Sequence, residues 1–184
     1  IEKIVPKDNF YVSNIPRLLE LSGRSEEALA EYKRIAGNDS KNSQAIVALA
    51  GAYEKRSKWD EAVKEYQKAI ELAPNAGFLY IKVGDVFAKQ KRHDDARLAY
   101  SHLLDKQGES FEAYQKIDAS FREEKKYLAL YEFYKGRIRQ DPSDRLPMGR
   151  IEDAAKLASQ SDDLLKFLKE TADRGVKQAS FYLD

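Results

Sequence analysis

Apolar residues in the middle of the chain recur at steps of three and four. Between Ser43 and Ala76 they fall at Ile46, Leu49, Ala50 and Tyr53, then at Ala62, Val63, Tyr66, Ala69 and Ile70. That is the spacing of a helix face, not the alternation of a strand. It predicts two amphipathic helices, Ala45–Lys55 and Glu61–Leu72, joined by a polar turn through Ser57, Lys58, Trp59 and Asp60. Asp60 is placed to cap the second helix with its carboxylate. Pro74 ends that helix, because it has no N–H to donate and its ring clashes with the preceding turn.

The pattern returns after 34 residues. Ile46, Leu49, Ala50 and Tyr53 become Tyr80, Val83, Gly84 and Phe87, while Ala62 and Tyr66 become Ala96 and Tyr100. A further step gives Tyr114, Ile117, Phe121 and Tyr134, with Pro142 in the place of Pro74. One step back gives Ala28, Tyr32 and Ile35. A small residue at Ala50 facing one at Ala62 lets two helices approach closely, with aromatics filling the grooves beside them. No single hairpin buries both its faces, so hairpins of this kind stack into one continuous core.

A repeat of this length with large, large, small and aromatic residues on its first helix, then small, aromatic, small and Pro on its second, resembles the tetratricopeptide repeat. Residues 43–76 fit at every place: Ile46, Leu49, Ala50, Tyr53, Ala62, Tyr66, Ala69 and Pro74. Residues 77–110 fit except for Leu103 and Gly108, and residues 111–144 fit in part. Degenerate units fall at 9–42 and 145–178, with a non-repeat segment at 1–8 and a truncated or capping helix at 179–184. The resemblance implies an all-α, right-handed superhelical solenoid of about five helical hairpins.

The departures carry their own expectations. Asp118, Leu130 and Arg137 occupy three usually small places of 111–144. They predict a splayed hairpin and an Asp118–Arg137 ion pair. Pro16 is expected to open a shortened first helix, where a missing N–H costs nothing, and Pro147 to do the same in the last unit. Gly175 is expected to close the last unit's second helix.

Composition adds exclusions. Thirty-two Lys and Arg against 31 Asp and Glu leave a net charge of +1, which supplies no global field for nucleic acid or an anionic membrane. The absence of Cys removes disulfides, thiolate metal sites and cysteine nucleophiles. No apolar run approaches the roughly 20 residues that span a bilayer. The chain begins at Ile1 without Met and stops at Asp184 inside a helical pattern. It reads as a fragment of a longer, bacterial protein, so its compartment (cytoplasm or periplasm) stays open.

Little in the chain has the pattern of a reactive centre. His93, Asp94 and Asp95 form the one cluster that resembles a metal or acid–base site. It also reads as a turn aromatic followed by acids that suit a helix start, since His93 stands where Trp59 and Tyr127 stand. A structural metal site needs about four converging ligands. There is no glycine-rich phosphate loop and no recognisable triad. The basic stretches at Lys89–His93 and Arg122–Lys126 are interleaved with Asp94, Asp95, Glu123 and Glu124, as a solvated turn would be. The chain is expected to be no enzyme and to need no cofactor.

The resemblance implies a groove lined by the first helices, where partner peptides or helices lie. The places left free by the core are Val47, Glu54 and Lys55, then Phe78, Ile81, Asp85 and Lys89, then Gln115 and Arg122. Phe78 and Ile81 are the expected apolar anchors, with packing of Phe78 against the preceding unit as the alternative. Members that clamp a terminal carboxylate use a Lys and an Asn on successive first helices. The matching places here hold Val47 and Gly51, Ile81 and Asp85, Gln115 and Ala119, so that clamp is missing. The expected role is a scaffold binding a partner protein. The alternative is a self-assembling or spacer module in a larger assembly, such as an envelope export or secretion complex.

Overall fold

A computed structural model of the chain describes residues 9–173, with side chains described from Asn14 to Ala172. Among these residues there are ten helices and no strand, as the apolar spacing predicts. They are α1 (Asn9–Leu21), α2 (Ser25–Asn38), α3 (Ser43–Lys55), α4 (Trp59–Leu72), α5 (Gly77–Lys89), α6 (His93–Gln107), α7 (Phe111–Glu123), α8 (Tyr127–Gln140), α9 (Arg145–Leu157) and α10 (Ser161–Asp173). First helices start at Asn9, Ser43, Gly77, Phe111 and Arg145, and second helices at Ser25, Trp59, His93, Tyr127 and Ser161. Each start advances by 34 residues. The expectations for residues 1–8, Gly175 and residues 179–184 lie outside the described residues.

The turn inside each hairpin shows why the register holds. Gly23, Ser57, Lys91, Lys125 and Ser159 all have positive φ, between 54° and 74°. Around each, two amide N–H groups bond back to the end of the helix just finished. Lys58 N donates to the Tyr53 carbonyl at 3.0 Å, Lys126 N to Phe121 at 2.9 Å and Gln160 N to Ala155 at 2.8 Å. These bonds satisfy carbonyls that a helix end would otherwise leave unpaired. Only one of the five turn residues is glycine, so the turn is held by its surroundings more than by residue preference.

Three of the first helices have side-chain caps, while α5, which starts after Ala76, has none. Asn42, Ser110 and Asp144 cap α3, α7 and α9 through the amides of Ala45, Ala113 and Leu146. The second helices α2, α4 and α8 have no side-chain cap. Asp60 is therefore not the cap of α4. The helix starts one residue earlier, at Trp59, and Asp60 lies inside its first turn, where its charge still suits the helix dipole.

The chain divides into two compact units, Ile1–Arg92 and His93–Asp184. In the first, α3 and α4 pack most closely, across the fully buried Ala50, Ala62 and Ala69, with Tyr66 buried beside them. Pro16 does not open a helix. It lies inside α1 and is fully buried. It stands one repeat before Ala50, at a place that needs a compact apolar side chain, and its ring supplies one at the cost of a helical hydrogen bond. α5 buries Leu79, Tyr80, Ile81, Val83, Gly84 and Val86, a wider stripe than one helix face. A helix apolar over so much of its girth is an interior helix.

The second unit has a more polar core. The buried polar side chains of the described residues are Arg97, Asp118, Ser120, Lys135, Arg137 and Asp144, all of them here. α7 and α8 approach one another less closely than α3 and α4 do, as Asp118, Leu130 and Arg137 predict. The Asp118–Arg137 ion pair does not form. Asp118 pairs with Arg122, one turn along its own helix, and accepts the Tyr134 hydroxyl at 2.8 Å. Arg137 extends instead to Asp105 at 2.7 Å and donates to the Tyr114 hydroxyl at 3.3 Å. Tyr114 in turn bonds Asp144, the cap of α9. Pro147 sits in the first turn of α9, two residues after its start, where its missing N–H costs nothing.

Candidate protein-interaction surface

In the first unit the face left by the core runs along α3 and α5. Its charges are engaged with one another. Glu54 accepts from Lys89 Nζ at 2.5 Å and from the Tyr66 hydroxyl at 3.0 Å. Burial pushes the Glu54 carboxyl up, but Lys89 and Tyr66 outweigh it, so the group is held below its ordinary value and stays ionised. Burial and the same Glu54 charge push the Tyr66 hydroxyl up, keeping it a donor. Lys55 pairs with Glu20, which also reaches Arg56 at 3.4 Å. Burial acts upward on Glu20 as well, yet its two cationic neighbours hold it below the usual range. Both ladders join a Glu to a Lys 35 residues later, one repeat plus one.

The neutral members of this face stand apart. Phe78 is 57% exposed although it belongs to an otherwise interior helix. Val47 is half-buried on α3. Ile81 is only 6% exposed, so it belongs to the core and not to the exposed face expected of it. Leu79 and Val86 are buried beside it, which is the wider stripe of α5 again. Asp85 is half-buried and Lys89 exposed, its amine 5.9 Å from the centre of the Trp59 ring. A cleft of about 330 Å³ opens between α3, the α4–α5 connection and Phe78. Gln44, Val47, Ala73, Ala76 and Leu79 line it. Ala73, Ala76 and Leu79 carry no polar signal in the sequence that marks them as part of a surface.

In the second unit, Gln115 is exposed on α7. Arg122 bonds Asp118 on its own helix and Asp153 of α9 at 2.5 Å. Those partners push the guanidinium further up, so it is a fixed cation tying two first helices.

In the His93 cluster, Asp94 is tied to the neighbouring structure. His93 is the first residue of α6, half-buried, and Asp94 and Asp95 lie in the first turn. Asp94 pairs with the buried Arg97, which also bonds Ser120 and Glu124 and stacks 4.3 Å over Phe121. Among the described residues no three His, Cys, Asp or Glu side chains gather as metal ligands, and no helix is long and apolar enough to cross a membrane.

Residues 43–76 match the family model described as a tetratricopeptide repeat. Comparison with curated proteins finds no match. Among solved structures, the MamA protein aligns with a TM-score of 0.58 at 18% identity, covering 95% of this chain and 96% of that one. YrrB, described as a tetratricopeptide-repeat protein with an unusual peptide-binding site, aligns at 0.53 and 18% identity over 91% and 85%. The first such domain of Spaghetti (RPAP3), bound to the HSP90 peptide SRMEEVD, aligns at 0.52 and 18% identity over 61% and 90%. Residues 43–76 thus form a tetratricopeptide repeat, and the chain shares the helical-repeat fold of these structures.

Proposed function

We propose that the chain is a protein-interaction module that holds a segment of a partner protein against the exposed face of its first helices. The observation that carries this reading is Phe78, a large apolar side chain left 57% exposed beside an open cleft, while its neighbours Leu79 and Ile81 are buried. Exposed apolar anchors with a polar rim are what partner proteins cover. Two of the structurally similar proteins are described as binding peptides, which supports the same reading. The carboxylate-clamp places hold Val47, Gly51, Ile81, Asp85, Gln115 and Ala119, so a terminal carboxylate is not the feature recognised.

The test is site-specific photo-cross-linking in the host cell. A photoreactive residue at Gln44 or Gln115 should yield partner adducts, while one at Gln67 or Glu132, on second helices, should not. Equal adducts from both sets, or none from the first helices, would count against the reading.

A second reading, a self-associating or spacing module, is favoured by α1 and α10. Ile15 and Leu18 of α1 are 43% and 54% exposed, whereas Leu49 and Ala52, one repeat later, are buried. Leu165 of α10 is 48% exposed, whereas Tyr131, one repeat earlier, is fully buried. These are faces that a neighbouring hairpin covers elsewhere in the array. Sedimentation at rising concentration decides it: a strict monomer, unchanged by Leu18→Glu or Leu165→Glu, leaves the reading without support.

A further inference from the structure

We infer that the cleft beside Phe78 is the anchoring pocket of the interaction face, and that its occupant is an uncharged peptide segment bearing a large apolar side chain. The inference rests on the protein-binding reading above and adds the place and the chemistry of what is bound.

The place follows from how this repeat boundary differs from the others. The first-helix position held by Phe78 is Gln44 one repeat earlier and Glu112 one repeat later. The connection into α5 carries Ala73 and Ala76, where the connection into α3 has Asp39 and Asn42 and the one into α7 has Gln107 and Ser110. These two methyl-sized side chains line, with Val47 and Leu79, an open volume of about 330 Å³. That is the low end of the roughly 300–1,000 Å³ typical of pockets that enclose small ligands, and it suits one or two side chains of a peptide. Phe78 also lines the cleft, as does Gln44 with its amide. An amide there both donates and accepts, which suits the backbone of a bound segment.

The chemistry follows from charge. Glu54 is bonded to Lys89, and Lys55 to Glu20. Lys82 and Asp85 add one charge of each sign to the same helix. A charged partner would have to break bonds already made, or add an uncompensated charge to a balanced face. Apolar burial in the cleft requires neither. Recognition here is therefore carried by apolar area, and it is insensitive to salt, since only exposed charge–charge attraction is screened.

Panning a displayed library of random dodecapeptides on the immobilised full chain tests this. The expected winners carry one or two large apolar residues and no net charge. A synthetic winner should change its Kd less than about twofold between low and 0.5 M salt. Ala76→Leu, which fills the cleft, and Phe78→Ser, which removes its wall, should each weaken binding by roughly tenfold or more with the helical circular dichroism unchanged. Winners rich in Asp, Glu, Lys or Arg whose binding collapses in salt overturn the inference while leaving the protein-binding reading intact. So do winners that bind the Ala76→Leu and Phe78→Ser proteins as well as the parent. A panning with no enrichment over a blank surface sinks both.

Discussion

Asp118 shows how a single residue is used here. The consensus place is small because two helices approach there, and a carboxylate is tolerated only because Tyr134 and Arg122 satisfy it. Asp118→Ala takes the acceptor from the buried Tyr134 hydroxyl and one of the two carboxylates from Arg122. Removing one member of a buried, bonded group costs about 2–4 kcal/mol, which urea denaturation should register as a lower midpoint. Glu124 makes a parallel point with pH. Hydrogen bonds from Lys126 and then Arg97 hold its carboxyl down to about 2, against an ordinary 4.5. A depressed carboxyl contributes stability above its ordinary value and loses it as pH falls toward the depressed one. The melting temperature should therefore fall between pH 4.5 and 2, and Glu124→Gln should flatten that slope.

At the scale of elements, the left-handed turn residue is the most regular feature of the structure. Non-glycine residues in that conformation are strained by about 1–2 kcal/mol. Ser57→Gly should relieve part of this and raise stability by up to about 1 kcal/mol, net of the extra freedom glycine gains when unfolded. Ser57→Val should lower it by more than that, because a β-branched side chain resists positive φ. Equal stability of the two variants would show that the turn is not under strain. Pro16 offers the mirror case. An interior proline costs about 3 kcal/mol in an ordinary helix, while loss of its buried ring costs about 1–2 kcal/mol, so Pro16→Ala should stabilise α1. Neither feature is legible in the composition. Ser57, Lys91, Lys125 and Ser159 are not residues that favour positive φ, and they are recognised only by their common place in the repeat.

For the whole molecule, repeat architecture makes stability a sum of hairpins and their neighbour contacts. Helices covered on one side only should open first. Hydrogen exchange followed by mass spectrometry should find α1 and α10 fastest, since Ile15, Leu18 and Leu165 are exposed there. The interior helix α5 and the tight pair α3 and α4 should be slowest. Uniform exchange across the ten helices would mean that the array unfolds as one cooperative block.

The sequence by itself determined the helices, their period and the small-against-small contact of Ala50 with Ala62, because each depends on residues close in the chain or one repeat apart. It also placed the acids of the His93 turn. Only the tertiary structure decided which side of a helix is covered. Ile81 and Phe78 are both large and apolar on α5, and periodicity treats them alike. One is buried and the other open because packing across α5 covers a wider stripe than a single helix face. Pairing of long charged side chains was decided in the same way. Arg137 reaches several residues in space, and its partner is whichever carboxylate the fold leaves within reach, Asp105 rather than Asp118. The cleft beside Phe78 has no motif of its own, since its walls are alanines whose role is the space they leave empty.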